Sequence, residues 1–321
     1  MKYFTGCLVA LIIISIIPPA VFGQDNVGFP NNIMDSTAKV TPFAPGVVST
    51  RYDEGATSFS PDGKTVYFTM GSVYSTICFS KNVDGKWTRP QVASFSGRWN
   101  DMDAFVSPDG KKLFFASTRP VPGSADGKPN NHAELWYAEN TGGDNWGAPR
   151  LLDTAVNTGN YNTYAPSVSS DGTLYWCCPN RDGSKGMQGY YAVWHGDHYE
   201  PSKLLSITGV THIQDPFIAP NGKYLVFLNG QALFVSMWLQ GAWSPAVKFG
   251  PPVSMGDYVG SPYVSRDGKT LYFTTSRIHG FYKRDPLNHA LDFDELIKEN
   301  DSLFNGGGNI LQVPVNLPDG N

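Results

Sequence analysis

The chain has 321 residues, 13% of them aromatic and only 16% charged, with a formal net charge of −4. That acidic balance leaves no basic footprint for nucleic acid. Three of its four cysteines lie after residue 23, an odd and small number that excludes a disulfide framework.

Residues 1–23 read as a secretory signal peptide. Lys2 gives a short positive start, residues 7–17 are apolar, Pro18 and Pro19 break the run, and Val21-Phe22-Gly23 offers small residues for cleavage near Gly23 and Gln24. The run is too short to span a bilayer. The mature chain is therefore expected to lack a transmembrane segment and to be exported, to the periplasm or outside the cell. Residues 24–38 read as a lead-in.

From there the chain repeats itself five times. The copies are ATSFSPDGKTVYFTM (56–70), DAFVSPDGKKLFFAS (103–117), APSVSSDGTLYWCCP (165–179), DPFIAPNGKYLVFLN (215–229) and SPYVSRDGKTLYFTT (261–275). Asp-Gly or Asn-Gly between alternating apolar runs is a hairpin signal, because glycine accepts positive φ. A recurrence of 46–62 residues between Gly63, Gly110, Gly172, Gly222 and Gly268 predicts an all-β fold, a five-bladed β-propeller of four-stranded antiparallel blades.

Each copy supplies strands a and b. Strand c is read at 75–80, 133–139, 189–195 and 232–238, and strand d follows with an aromatic residue and a proline, which an outermost strand tolerates. The fifth repeat differs. After strand b comes an insertion of about 278–307 with a helix-like stretch at 293–304. Then 308–315 reads as strand c, with no strand d before the tail 316–321. The Pro-containing segment 39–49 is expected to complete that blade and close the ring, so the propeller spans 39–315.

The SPDGK turn followed by an aromatic strand resembles the repeat of TolB-type, WD-like β-propellers of the bacterial envelope. The resemblance covers five repeats, best in the first, second and fifth. It implies a single five-bladed member of that family, without the N-terminal domain and partner role of TolB itself.

The strand course puts the starts of strand a and the long b–c segments on one face, and the tight a–b turns on the other. Loops on a rigid scaffold carry function, so the working site is expected on the first face. Asp103 and Asp215 stand seven residues before their turn glycines, at the start of strand a. Glu54, Asp101, Tyr161, Tyr164, His212, Gln214 and Tyr258 lie just upstream of the same position. Arg119, Arg181 and Arg277 stand nine residues after their turn glycines, on the same face. These are the candidate ligand-binding residues. Either the arginines form blade-to-blade ion pairs, or they line a cup for a carboxylate or sugar hydroxyls. Asp103, Asp215 and His212 are the candidate catalytic groups, since glycosidic hydrolysis uses two carboxyls. The hairpin-tip residues Asp62, Asp109, Asp171, Asn221 and Asp267 read as turn formers. Cys177 reads as occupying the core position of Phe68, Phe115, Phe227 and Phe273, with Cys177 and Cys178 as buried thiols and a vicinal disulfide between them as the alternative.

These residues predict an exported binding module for a ligand, such as a carbohydrate or carboxylate, or for an envelope protein. A carbohydrate-active enzyme, glycosidase or lyase, and an envelope assembly scaffold are the alternatives. No phosphate loop, zinc motif or nucleophile elbow appears, so no metal or cofactor is expected.

Overall fold

The computed structural model describes residues 32–35, 37–71, 73–124, 127–254, 258–276 and 291–321. The stretch expected to be a signal peptide and its cleavage point, most of the lead-in, Arg277 and the first part of the insertion lie outside the described residues.

The described chain forms five antiparallel sheets, one per repeat. Strand a of the five blades is Glu54–Phe59, Asp101–Val106, Tyr164–Val168, Gln214–Ile218 and Val259–Val264. Strand b is Thr65–Met70, Lys112–Ser117, Leu174–Pro179, Tyr224–Asn229 and Thr270–Thr275. Strand c is Thr76–Val83, Glu134–Gly142, Met187–Ala192, Ala232–Leu239 and Asn309–Pro314. Strand d is short. In blades 1, 2 and 4 it splits into two pieces, such as Lys86–Trp87 and Gln91–Val92, on either side of Pro90, Pro149 and Pro245. Proline donates no ladder bond, so the edge breaks there.

The fifth blade closes as expected. Thr41–Pro42 pairs with Asn309–Pro314, Thr41 opposite Gln312 and Pro42 opposite Leu311. The chain's first described strand is thus the outer edge of its last blade. The helix-like stretch forms helix α1, Phe293–Asn300, opened by an Asp292–Glu295 capping box. Among the described residues no helix is long and apolar enough to cross a membrane.

Three of the five turns use one full set of bonds, and the turns of blades 3 and 4 keep part of it. In blade 1 the Ser60 hydroxyl donates to Asp62 Oδ1 (2.6 Å), the Lys64 N–H donates to the same oxygen (3.0 Å), and the Thr65 N–H donates to Ser60 Oγ (2.9 Å). Ser107 with Asp109 and Ser265 with Asp267 repeat this set. The tip carboxylates are turn parts, and these bonds hold Asp62 and Asp109 below the usual carboxylate range, against the opposing effect of burial, which is the largest influence on Asp109. The core lies between blades. Phe68, Phe115, Trp176, Phe227 and Phe273 of the b strands are fully buried there.

Trp176, not Cys177, therefore holds the phenylalanine position. Repeat 3 has no lysine after its glycine, and its turn is one residue shorter: Ser169 bonds Thr173, whereas Ser60 bonds Thr65. The sheet register places Tyr164 opposite Cys177, as Gly55 stands opposite Thr69 in blade 1. Counting from the turn glycine misplaces every later residue of that strand by one. Cys78, Cys177 and Cys178 are separate, buried thiols.

The a–b turn face is not featureless. The turns are tight, but room lies between them: a groove of about 360 Å³ beside Lys112, Asp171, Trp194 and Tyr199, and one of about 440 Å³ beside Trp87, Arg266 and Tyr272. The tail is strapped over the same face. The Leu317 N–H donates to Gly268 O (3.0 Å), Gly320 N–H to Arg266 O (2.7 Å), and Asn221 N–H to Gly320 O (2.9 Å).

Candidate functional site

Every strand a carries a bulge near its start. The register with strand b slips between Gly55 and Ser58, Met102 and Phe105, Tyr164 and Ser167, Gln214 and Phe217, and Gly260 and Tyr263. The slipped residue has positive φ in all five blades: Ala56 (53°), Asp103 (57°), Ala165 (49°), Asp215 (49°) and Ser261 (46°). None is glycine, so each costs about 1–2 kcal/mol that the surrounding sheet must offset. A bulge of this kind re-aims its residue. Here it turns five N–H groups along the ring, each toward the preceding blade.

Each of these N–H groups meets a side chain of that blade. Asp103 N–H donates to Thr69 Oγ1 (3.0 Å) and Ala56 N–H to Thr274 Oγ1 (3.2 Å). Asp215 N–H reaches the sulfur of Cys177. Thr69, Thr274 and Cys177 occupy one shared position on strand b. In blades 2 and 4 that position is Ala116 and Leu228, which accept nothing. There the bulge residue itself accepts: Ala165 N–H donates to Asp103 Oδ2 (3.1 Å), and Ser261 N–H to Asp215 Oδ2 (2.9 Å). The two acids stand where strand b offers no acceptor.

They also face a common space. Asp103, Asp215, Ala56, Ala165 and Ser261 surround the channel mouth, a cavity of about 40 Å³. Phe105, Phe217 and Tyr263 close its floor, with ring centroids 5.1–6.3 Å apart. Gln214 donates to Asp215. Tyr258 Oη and Asp215 Oδ2 both lie 3.0 Å from where a Cβ on Gly260 would sit. Burial, and then the Asp215 charge, raise the Asp103 carboxyl to about 7. Burial raises Asp215 as well, against the bonds from Ser261 and Gln214. Burial and these two acids push the Tyr258 hydroxyl up to about 12, and burial with Asp103 raises Tyr164.

The structure thus brings Asp103, Asp215, Gln214, Tyr164 and Tyr258 together. The other candidates stand elsewhere. Arg119 is buried, donating to Asp101 Oδ1 (2.7 Å) and Ser117 Oγ (2.9 Å) and stacking on Phe115 and Trp136. Asp101 also accepts from Ser117 and Ser96 hydroxyls. Arg181 follows the shortened repeat and lies in the one-turn helix Arg181–Gly183. It is buried over Tyr190 and donates to Val156 O (3.1 Å) and Ser202 Oγ (2.6 Å). Glu54 is buried, accepts from the Thr50 N–H (3.0 Å) and hydroxyl, and is raised to about 7 by burial. His212 is exposed, its Nδ1 paired with Thr211 Oγ1 (3.0 Å) and its Nε2 against Gly186. Tyr161 packs half-buried on the core. Arg277 lies outside the described residues. The mouth therefore gathers acids and phenols, while Arg119 and Arg181 brace loops. Among the described residues no group of three or more His, Cys, Asp or Glu could hold a metal.

Sequence reasoning missed the role of Cys177. The signal that finds it is strand register, not distance from the turn.

No protein-family model and no curated protein matches the sequence. Solved structures do resemble the fold. α-L-arabinofuranosidase from Lactobacillus brevis is 12% identical with a TM-score of 0.50, over 85% of this chain and 93% of that one. A Dyadobacter fermentans protein of unknown function is 13% identical with a TM-score of 0.48, over 87% and 99%. TolB from Acinetobacter baumannii is 13% identical with a TM-score of 0.46, over 83% of this chain; the chain spans 56% of that TolB's length. At such identities the likeness is one of fold: this chain is a five-bladed β-propeller with TolB-like proteins among its structural neighbours.

Proposed function

We propose that the protein is a binding module whose channel mouth takes a neutral, hydroxyl-rich ligand of the carbohydrate class. The observation that carries this reading is the composition of the mouth. Two carboxyl groups line it, the Gln214 amide donates to one of them, the Tyr258 and Tyr164 phenols stand near the pair, and the two described arginines expected to serve it are buried in bonds of their own. Acceptors with a few donors suit sugar hydroxyls; a carboxylate ligand would meet repulsion from the two acids, and among the described residues neither Arg119 nor Arg181 is free to pair with it. This replaces the carboxylate-binding expectation and keeps the carbohydrate one.

One observation favours a second reading, a glycoside hydrolase. Asp103 sits near neutrality beside a second carboxyl, as a general acid requires. Against it, both carboxyls already accept from backbone N–H groups of the next blade.

The test uses the mature protein and its Asp103→Asn and Asp215→Asn variants. Asparagine keeps an acceptor for the backbone and removes the charge. Calorimetric titration with neutral sugars and with uronates should show binding of the former, weakened about tenfold by either change. Preference for uronates, or binding indifferent to both changes, would overturn the reading. Release of reducing ends that stops in Asp103→Asn would move the conclusion to the hydrolase.

A further inference from the structure

We infer that the ligand is a chain and not a single sugar, lying outward from the mouth across blades 5 and 1 on a row of exposed aromatic side chains. This rests on the mouth as the binding site proposed above.

The first observation is size. The mouth is about 40 Å³ above its aromatic floor. A single water needs about 10–15 Å³ of such space, so a few waters or a protruding hydroxymethyl group enter and a whole sugar ring does not. Such a site holds a chain end or a protruding hydroxyl. Most contact with a ligand must then form outside the channel.

The second is where aromatic surface is exposed. Among the described residues, the large aromatic side chains most exposed on this face are Tyr52 (51%), Tyr74 (75%), Tyr258 (50%) and Phe293 (72%). All four belong to blades 1 and 5 or to the insertion of blade 5. Trp238, also exposed, stands beside the c–d turn of blade 4 at the opposite face. Among the described residues, blades 2, 3 and 4 have no large aromatic side chain so exposed around the mouth; Trp99 before strand a of blade 2 is half-buried under Arg98. Exposed aromatics grouped on one sector mark an interaction surface.

The third is that the row is held. Arg51 stacks on the Tyr52 ring at 5.0 Å, donates to its hydroxyl (3.1 Å) and pairs with Asp301 at the end of helix α1 (2.5 Å). Asn305 Nδ2 ties Arg51 O (2.9 Å) to Asn300 O (2.8 Å). The helix bearing Phe293 is thus fastened to the loop bearing Tyr52. Gly71 N–H donates to Asp53 O (2.9 Å), which sets the Tyr74 loop beside that one. Tyr258 joins the row to the mouth, its hydroxyl beside Asp215 across Gly260. A ring fixed before binding, as Tyr52 is by Arg51, loses little entropy when a ligand stacks on it.

The charge pattern selects the chain. Among the described residues the cation that touches Tyr52, Arg51, is already paired with Asp301, and the mouth is acidic. A neutral glycan fits and a uronate polymer does not. Sugar rings present apolar C–H faces to aromatic rings while their hydroxyls reach the carboxyls.

The experiment is a calorimetric titration with a length series of neutral oligosaccharides, monomer to hexamer, against wild type, Tyr52→Ala, Tyr74→Ala and Phe293→Ala. These side chains are exposed, and thermal melts should confirm unchanged folding. Affinity should rise with length in wild type, and each variant should bind the hexamer about tenfold more weakly while treating the monomer as wild type does. Affinity independent of length, or variants indistinguishable from wild type on the hexamer, would overturn the chain and leave the mouth reading standing. Tighter binding of uronate oligomers would also overturn it. Failure of wild type to bind any member would instead remove the mouth reading on which it rests.

Discussion

Blades 1, 3 and 5 and blades 2 and 4 solve one problem with different chemistry. In each, a bulge with positive φ sends a backbone N–H toward the preceding blade, and that blade must supply an acceptor. Blades 1, 3 and 5 supply it from strand b, with Thr69, Cys177 and Thr274, and keep the bulge residue small, as Ala56, Ala165 and Ser261. Blades 2 and 4 carry Ala116 and Leu228 on strand b and supply the acceptor from the bulge itself, as Asp103 and Asp215. The difference teaches how a mouth acquires acidity. A neutral hydroxyl or thiol that accepts this bond brings no charge with it, whereas a carboxyl has a second oxygen and a charge left over. A structural requirement met twice by aspartate leaves two such surpluses facing one small space.

The most damaging way to break this comparison is to open the ring. Deleting residues 39–49 removes the outer strand of blade 5 and with it the seam beside the Thr274–Ala56 bond. Cooperative loss of the fold is expected, read as a missing thermal transition with aggregation. A soluble deletion variant that melts as wild type does would show that the strand is dispensable.

Removing single acceptors comes next. Thr69→Val, Asp103→Ala and Asp215→Ala each strand a backbone N–H at a blade junction, at a cost of about 1–3 kcal/mol. Asp103→Asn and Asp215→Asn keep the bond and should fall well short of that loss. The sharpest form is a swap: Thr274→Ala should destabilise, and adding Ser261→Asp should recover most of the loss by turning blade 5 into the other kind. Chemical denaturation of the pair decides; losses that simply add would mean the two positions are not alternatives.

The pH dependence follows. Asp103, Glu54 and Glu134 are each raised to about 7, chiefly by burial. A carboxyl raised above its unfolded value of about 4 binds more protons folded than unfolded between those values, so stability falls as pH rises through about 4 to 7. The turn carboxylates Asp62 and Asp109 are lowered and act oppositely, losing their contribution only in stronger acid. Melting temperature should therefore peak in mild acid. Asp103→Asn should flatten the decline toward neutrality, by on the order of 1 kcal/mol at pH 8. An unchanged slope would place Asp103 in water.

The smallest effect belongs to Cys177. Cys177→Ser keeps an acceptor and should move the melting temperature little, while Cys177→Val should cost about 1 kcal/mol more. Equal stabilities would remove the thiol from the ring.

Much of the fold was legible because its turns announce themselves. Four Ser-x-Asp-Gly turns and one Ala-Pro-Asn-Gly turn read as five hairpins, three of them held by the same three hydrogen bonds, and the missing last strand points to the segment that holds Thr41–Pro42. The candidate site was legible only in part. Asp103 and Asp215 could be found by their equal distance from the turn, and they do share a mouth. The bulge that aims them left no mark, because Ala56, Ala165 and Ser261 hold positive φ without being glycine. Arg181 was aligned with Arg119, but the turn of repeat 3 is one residue short, and the two arginines sit in different surroundings. Burial was invisible as well: nothing local tells an arginine at a channel mouth from one stacked under Phe115 and Trp136.

The pairing of Thr41 with Gln312 also fixes the order in which the molecule can be made. The first described strand has no partner until nearly the whole chain has been synthesised, so blades 1 to 4 must persist as an open arc with a waiting edge. Contacts that distant in sequence form slowly, and unpaired edges invite association between chains while they wait. Yield in a cell would then be governed by how long the arc stays protected more than by the stability of the closed ring.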